Sequence, residues 1–229
     1  MNIRSIFNRI LPPACPLCGS PADRALCPDC RAGLPWHTLQ RCPACALPTP
    51  DGALCGACLR RPPAFVRTHA ALIYRFPLDR MIPRLKYHGR LSLAPLLGDC
   101  LADALGDAPS PDCIVPMPLH PARLRERGFN HATEIARSVA RRTALPLETG
   151  LCSRIRDTPP QMRLKVDARR RNVRGAFACE STVDGLHVAI VDDVMTTGTS
   201  LDELAATLRR AGAREVSCWV VARALPPGD

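Results

Sequence analysis

The sequence predicts an α/β protein in which a parallel sheet with helices on both faces follows a small N-terminal module with two zinc sites. Two observations support this fold class. Eight of the 13 cysteines stand in four Cys-x-x-Cys pairs near the N-terminus. From residue 63 onward, short apolar runs alternate with amphipathic stretches, which is typical of strands and helices around a parallel sheet.

The four cysteine pairs have the spacing of zinc ligands. One tight turn can direct two such thiolates at one ion, and four sulfurs close a tetrahedral site with no open position. A disulfide framework is disfavoured because nothing in the sequence indicates secretion. The gaps between pairs favour two sequential sites, although spacing alone leaves an interleaved arrangement open. The predicted ligands are Cys15, Cys18, Cys27 and Cys30 in the first site, and Cys42, Cys45, Cys55 and Cys58 in the second.

A domain boundary is predicted near Pro62, where the cysteine pairs stop and two prolines stiffen the chain. Residues 1–62 would form a double zinc-ribbon module with a short N-terminal helix, and residues 63–229 the α/β domain. No stretch approaches the ~20 apolar residues of a membrane-spanning helix. Arg4 and Arg9 interrupt any apolar signal-peptide core near the N-terminus, which argues against a secretory signal. We therefore expect a cytoplasmic protein without a membrane span.

The first half of the α/β domain contains two predicted strands and three predicted helices. The strands are short apolar runs, and the helices have apolar residues every three to four positions. Pro83 predicts a kink or a break in the first helix, and Ile135 and Val139 share one face of the third. The strands are predicted at 68–76 and 112–118, and the helices at 77–87, 91–105 and 130–143.

The second half begins with an arginine-rich stretch, residues 153–171, that lacks apolar periodicity. The strands are then predicted at 173–179, 186–191 and 216–224, and one helix at 200–212. Ser200 and Glu203 match a capping box at the start of that helix, and Gly212 would end it. Parallel sheets of this kind bind ligands at the carboxyl ends of their strands.

The stretch HVAIVDDVMTTGTSLDEL, residues 187–204, has the pattern of a phosphate-binding site at such an end. Two acids, Asp192 and Asp193, follow a buried strand, and a loop of small and hydroxyl residues leads to a helix. Hydroxyls, a flexible glycine and the N–H groups of a helix N-terminus favour an anion. Carboxylates nearby can accept hydrogen bonds from ribose hydroxyls. The predicted phosphate-binding residues are Thr196, Thr197, Gly198, Thr199 and Ser200.

Positive charge is concentrated in the middle of the chain. Residues 118–178 contain 14 basic and five acidic residues, in a chain of formal net charge +10. Such a block suits a polyanionic ligand such as a nucleic acid, a nucleotide or pyrophosphate. A solvated arginine-rich surface is the alternative interpretation, since 29 of the 31 basic residues are arginine.

Several motifs together resemble known families. VAIVDDVMTTGTS resembles the phosphoribosyl-pyrophosphate-binding signature of type I phosphoribosyltransferases. Nearly the whole chain resembles the ComF/GntX family of competence protein F-like proteins. The motifs that carry this second resemblance are the cysteine pairs, LKYHGR at 85–90, VPMPLHPARLRERGFNHA at 115–132 and TPPQMRLKVDARRRNVRGAF at 158–177. One departure is His131, which stands where the family motif leads us to expect glutamine; we interpret it as a tolerated substitution without a catalytic role.

The resemblance implies a phosphoribosyltransferase-like sheet and a role for each matching residue. Asp192 and Asp193 would be the catalytic acids, which contact the ribose hydroxyls and a magnesium ion (Mg²⁺). The loop of residues 196–200 would hold the 5′-phosphate. Arg127 and Gly128 would belong to a pyrophosphate loop. The arginine-rich residues 154–171 would form a flap over the site.

Two functions follow from the resemblance, because a shared fold does not settle function. The first is a protein that binds phosphoribosyl pyrophosphate, or a related phosphoribosyl ligand, and acts in DNA uptake during natural transformation or in nucleic-acid handling. Its candidate partners are single-stranded DNA and proteins of the DNA-uptake machinery. The alternative is an active magnesium-dependent phosphoribosyltransferase of nucleotide or nucleoside metabolism with an unknown acceptor.

Overall fold

Six strands and seven α-helices form the part of the chain that the structure describes. The structure is a computed structural model that describes residues 14–22, 26–106, 110–157 and 172–226. The strands are β1 (Arg67–Ile73), β2 (Cys113–Pro116), β3 (Cys152–Arg154), β4 (Phe177–Cys179), β5 (His187–Met195) and β6 (Glu215–Arg223). The helices are α1 (Pro28–Ala32), α2 (Gly56–Arg60), α3 (Leu78–His88), α4 (Leu93–Leu105), α5 (Pro121–Arg127), α6 (His131–Thr143) and α7 (Thr199–Arg210).

Four parallel strands form the main sheet in the order β1-β6-β5-β2, and β3 and β4 form a separate antiparallel pair. The central strands β5 and β6 are almost entirely buried, as expected for parallel strands covered on both faces. The short strand β2 pairs with β5 only as far as Pro116 and Val191. Beyond Val191, β5 therefore pairs with a strand on one side only, among the described residues.

Helices cover both faces of the sheet. Alternate strand residues such as Val188, Ile190 and Cys218 form one face and pack in the same cluster as Leu204 and Leu208 of α7. The strand residues between them form the opposite face, against which α4 and α6 pack. The predicted α/β class with helices on both faces is confirmed.

The chain divides into two compact units, Met1–Trp36 and His37–Asp229. The first predicted set of zinc ligands, Cys15, Cys18, Cys27 and Cys30, is called the first cysteine cluster and lies in the first unit. The second set, Cys42, Cys45, Cys55 and Cys58, is called the second cysteine cluster. The second cysteine cluster lies in the same unit as the sheet, where Thr68 of β1 donates its N–H to Pro43 O at 2.9 Å and its hydroxyl to Ala44 O at 2.5 Å. The domain boundary that the sequence suggested near Pro62 stays a prediction.

Three local features differ from the sequence-based expectations. Pro83 lies inside α3, which runs through it without a break because buried Leu78, Met81, Ile82 and Leu85 hold both of its halves on the core. Helix α5 was not predicted, because its PARLRER sequence buries no side chain and so lacks an apolar period. Helix α7 has Gly198 rather than Ser200 as its N-cap residue, and Glu203 accepts the N–H of Gly175 at 2.9 Å, so the predicted capping box is wrong.

No helix among the described residues is both long enough and apolar enough to cross a lipid bilayer. The N-terminal helix predicted for residues 1–13 and most of the arginine-rich stretch, residues 158–171, lie outside the described residues.

Candidate functional site

The loop of residues 196–200 joins the end of β5 to the start of α7, as the sequence predicted. Gly198 has a φ of 75°, a left-handed conformation that would strain any residue with a side chain. The hydroxyl oxygens of Thr197 and Thr199 lie 2.8 Å apart. The N–H groups in the first turn of a helix have no acceptor within it and give that end partial positive charge. Hydroxyl groups and the backbone N–H groups of a helix N-terminus are donors of the kind that favour an anion.

Asp192 and Asp193 lie within β5, which continues through both acids to Met195. Successive strand residues face opposite sides of a sheet, so Asp192 faces the side of α7 and Asp193 the side of α6. Asp192 is half-buried, and its Oδ1 accepts the N–H of Asp193 at 2.9 Å. Asp193 is only 2% exposed. The two neighbouring acids therefore have different surroundings.

A network of basic and polar side chains surrounds Asp193. Lys86 Nζ lies 2.5 Å from Asp193 Oδ2, and His131 Nε2 lies 3.7 Å from Asp193 Oδ1. Arg127 donates to His131 Nδ1 at 2.8 Å, and its guanidinium lies 5.2 Å from the centre of the Tyr87 ring. Because arginine can only donate, Nδ1 of His131 is an acceptor, and the proton of the neutral ring is on Nε2, facing Asp193.

The same network shifts the ionisation of the acids in opposite directions. Burial acts to raise the pKa of Asp193, but Lys86 and then His131 hold that pKa well below its usual range. Burial acts to lower the pKa of Lys86, yet the charges of Asp193 and Asp192 outweigh it and raise that pKa. Burial and the adjacent Asp193 charge raise the pKa of Asp192 well above its usual value. Asp193 is thus an ionised partner of Lys86, whereas Asp192 is the acid that a bound cation or donor would stabilise.

Arg127 and Gly128 lie at the end of a helix rather than in the open loop that the resemblance implied. Arg127 is the last residue of α5. Gly128 ends this helix with a left-handed φ of 82°, and its N–H donates to Leu124 O at 2.7 Å. Arg127 reaches the site through His131, and its predicted contact with pyrophosphate stays a prediction.

Asn130 fixes the position of His131 at the start of α6. Its Oδ1 accepts the N–H of Ala132 at 3.0 Å, and its Nδ2 donates to Met117 O at 3.0 Å. This side chain therefore caps α6 and ties it to the segment that follows β2. His131 is buried as a result, with an exposure of 8%.

Sequence reasoning missed Lys86 and His131 as site residues. LKYHGR contributes only to the family resemblance, although its lysine, one of only two in the chain, is an available signal. The structure places the ring of His131 near Asp193, and its interpretation as a tolerated substitution without a catalytic role stays a prediction. The change from the expected glutamine was the available signal there.

The acids at this edge have the composition of a magnesium site. One ligand atom each from His131, Asp192 and Asp193 lies within 4.8 Å of the other two. Magnesium prefers oxygen ligands and is usually held by one or two carboxylates together with substrate phosphates. The two carboxylates fit that preference. His131 does not offer a metal ligand in this arrangement, because Nε2 carries the proton and Nδ1 accepts from Arg127.

The eight cysteines of the predicted zinc sites form two separate clusters in sequential pairing. In each cluster the four sulfurs lie within 4.8 Å of one another. The sulfurs of Cys18 and Cys27 lie 3.6 Å apart, and so do those of Cys45 and Cys55. A tetrahedral site with Zn–S bonds of about 2.3 Å requires sulfurs ~3.8 Å apart. Both clusters therefore fit a zinc ion, and the interleaved arrangement is not the one observed.

We expect the purified protein to contain two zinc ions per chain, because each cluster offers four thiolates at zinc-ligand spacing. Elemental analysis of the protein against its measured concentration checks this ratio. A content of one zinc or none would contradict the assignment of both clusters.

Comparison with known proteins agrees with both halves of this description. The double zinc ribbon domain matches residues 6–59, and the phosphoribosyl transferase domain matches residues 127–226. The chain is 34% identical to the DNA utilization protein YhgH of Salmonella typhi over 225 residues, which cover 94% of this chain and 99% of that protein. It is 31% identical to competence protein F of Haemophilus influenzae, over 74% of this chain and 78% of that protein.

Among solved structures, a glutamine phosphoribosylpyrophosphate amidotransferase from B. subtilis is 25% identical, with a TM-score of 0.40. The structural match covers 57% of this chain and 26% of the amidotransferase chain.

Proposed function

This chain belongs to the ComF/GntX family, and from that premise we propose that it binds phosphoribosyl pyrophosphate and acts in the utilization of DNA. The relatives that carry DNA utilization and competence in their names support the cellular role. The ligand is supported by one observation above all. A left-handed Gly198 begins α7 directly after β5, the strand that contains Asp192, on the edge where β2 no longer pairs with β5.

The proposed ligand matches this arrangement group by group. The 5′-phosphate accepts hydrogen bonds from the loop of residues 196–200 and is stabilised by the N-terminus of α7. The ribose hydroxyls donate to Asp192, which is half-buried and has no lysine at ion-pair distance among the described residues. The pyrophosphate carries the highest charge and extends towards Lys86 and Arg127.

Magnesium belongs to this proposal because the ligand is a polyphosphate. Asp192 would hold the ion, with Asp193 beside it, and the ion would neutralise charge on the pyrophosphate. The chain contributes an ionised Asp193, since Lys86 and His131 keep that side chain charged in a buried position. Before ligand binds, Lys86 supplies the positive charge at this acid.

Phosphoribosyl transfer is the second candidate function. The observation that favours it is the cationic side of the site, where Lys86 and Arg127 could stabilise the charge of a departing pyrophosphate. Transfer would break the bond between C1 of ribose and pyrophosphate through an oxocarbenium-like centre and form a bond from C1 to the acceptor, with pyrophosphate as the leaving group. Release of pyrophosphate on addition of a nucleobase distinguishes this function from binding alone.

Single-stranded DNA is the proposed macromolecular partner, and the cytoplasm is the proposed compartment. Calorimetry with phosphoribosyl pyrophosphate and with single-stranded DNA, each with and without magnesium, tests the proposal. We expect magnesium-dependent binding of the first ligand and salt-sensitive binding of the second. Failure to bind phosphoribosyl pyrophosphate in the presence of magnesium would contradict the proposed ligand.

If the basic side chains between residues 123 and 174 contact a DNA backbone, the affinity for DNA should fall steeply with salt. The expected slope is about −0.7 per phosphate neutralised on a single strand. Changing Arg169, Arg170 and Arg171 to alanine should flatten it by up to about two units, equally for all sequences. These three arginines lie outside the described residues. A salt series in which wild type and variant share one slope would exclude them as phosphate contacts.

A further inference from the structure

Arg223 is a buried arginine at the carboxyl end of β6, with an exposure of 3%. Its guanidinium donates to backbone carbonyls from separate segments of the chain. Nε donates to Cys45 O at 2.7 Å, and Nη1 donates to Met195 O at 2.8 Å, Thr196 O at 2.5 Å and Ala224 O at 2.6 Å. One side chain therefore joins the second cysteine cluster to the beginning of the loop of residues 196–200, called the phosphate loop below because of its proposed ligand.

The guanidinium of Arg223 lies beside the second cysteine cluster, because its Nε donates to the backbone carbonyl of Cys45. Among the described residues, no Asp or Glu lies at ion-pair distance from it. A zinc ion with four thiolates has a net charge of about −2. An occupied second site would thus compensate a buried guanidinium that carbonyl dipoles alone leave uncompensated.

The position of the second cluster on the sheet makes this link direct. The turn that contains Cys45 is already held on β1 by the two hydrogen bonds of Thr68. Arg223 continues the connection to Met195 and Thr196, the residues at which β5 passes into the phosphate loop. A disordered cysteine turn would remove the acceptor at Cys45 and the countercharge together.

We propose that zinc in the second site positions the phosphate loop through Arg223, so that binding of a phosphorylated ligand depends on zinc at Cys42, Cys45, Cys55 and Cys58. Arg223 is then a positioning residue that contacts no ligand itself. This inference rests on the proposed function of the loop as a phosphate site. The first cluster has the same ligand chemistry but lies in the other compact unit, so it supplies a matched control.

The test compares Cys55→Ser with Cys30→Ser, since both cysteines are half-buried ligands, one in each cluster. Each variant should lose one of the two zinc ions in elemental analysis. Amide hydrogen exchange of residues 195–200, measured without ligand, should accelerate at least about tenfold in Cys55→Ser and change less than about twofold in Cys30→Ser. The affinity for phosphoribosyl pyrophosphate, measured with magnesium, should fall more in Cys55→Ser than in Cys30→Ser.

Arg223→Lys tests the link itself. Lysine keeps the charge but has a single nitrogen, which cannot reach Cys45 O and Thr196 O together as the guanidinium fork does. We expect this variant to retain two zinc ions while residues 195–200 exchange faster. Adding Cys55→Ser should then have little further effect on exchange, because the two changes interrupt one connection. Should Cys55→Ser fail to fold, Arg223→Lys with all its cysteines still gives the exchange measurement.

Equal loop exchange in Cys55→Ser and Cys30→Ser would overturn the inference, as would unchanged exchange in Arg223→Lys. Since exchange is measured without ligand, it reports on the link whether or not wild type binds phosphoribosyl pyrophosphate. Absence of binding by wild type would instead contradict the proposed function.

Discussion

Asp192→Asn should weaken magnesium-dependent binding of phosphoribosyl pyrophosphate by at least about a hundredfold, since a carboxyl acceptor for the ribose hydroxyls and a metal ligand are lost together. The fold should survive, because the asparagine keeps the shape of the side chain and Asp192 has no ion-pair partner among the described residues. Calorimetry with and without magnesium measures the affinity, and thermal unfolding measures the stability.

Glu215→Gln is the matched control for this change. It removes the same charge from the amino end of the neighbouring strand β6, where Glu215 is exposed on 41% of its side chain. Its affinity should equal that of wild type. Wild-type affinity in Asp192→Asn, with a normal melting curve, would exclude Asp192 from the ligand site.

Asp193→Asn should instead destabilise the protein by about 3 kcal/mol, the cost of leaving one partner of a buried ion pair alone. The difference arises from the surroundings: Asp193 is 2% exposed and lies 2.5 Å from Lys86. Urea unfolding of Asp192→Asn and Asp193→Asn, measured side by side, tests this contrast between adjacent residues.

Lys86→Met should destabilise the protein similarly, because it leaves Asp193 charged and buried. The double variant Lys86→Met/Asp193→Asn should be more stable than the sum of the two losses predicts, since no lone charge remains. Additive losses in this cycle, or a wild-type midpoint for Asp193→Asn, would show that the ion pair does not stabilise the fold.

The predictions for Asp192 and Asp193 differ, although the two acids are adjacent and look equivalent in the sequence. We expect Asp192 to bind the ligand and Asp193 to stabilise the fold. The sequence VDDV, residues 191–194, predicts a strand followed by a polar ligand site. From the sequence alone, both carboxylates are expected to contact ribose and magnesium. Strand alternation turns them to opposite faces of the sheet, so Asp192 faces the phosphate loop and Asp193 faces α6. Only Asp193 has Lys86 and His131 as partners among the described residues.

Local patterns were sufficient for the elements and motifs that depend on neighbours in the chain. The cysteine spacing predicted two sets of four sulfurs, and the structure brings each set together. The apolar run, acids and glycine-containing loop predicted a strand, a turn and a helix N-terminus, all of which occur at residues 187–210. Helix α5 escaped prediction because its sequence has no apolar period.

The sequence by itself determined the two sets of four cysteines, the strand, loop and helix of residues 187–210, and the class of the fold. Only the tertiary structure decided that Lys86 faces Asp193 and that Arg223 joins Cys45 to Thr196. The reason is physical, because turns and helix ends are set by interactions over a few residues. A contact across 178 positions, such as that between Arg223 and Cys45, exists only after the strands have packed in one order and register.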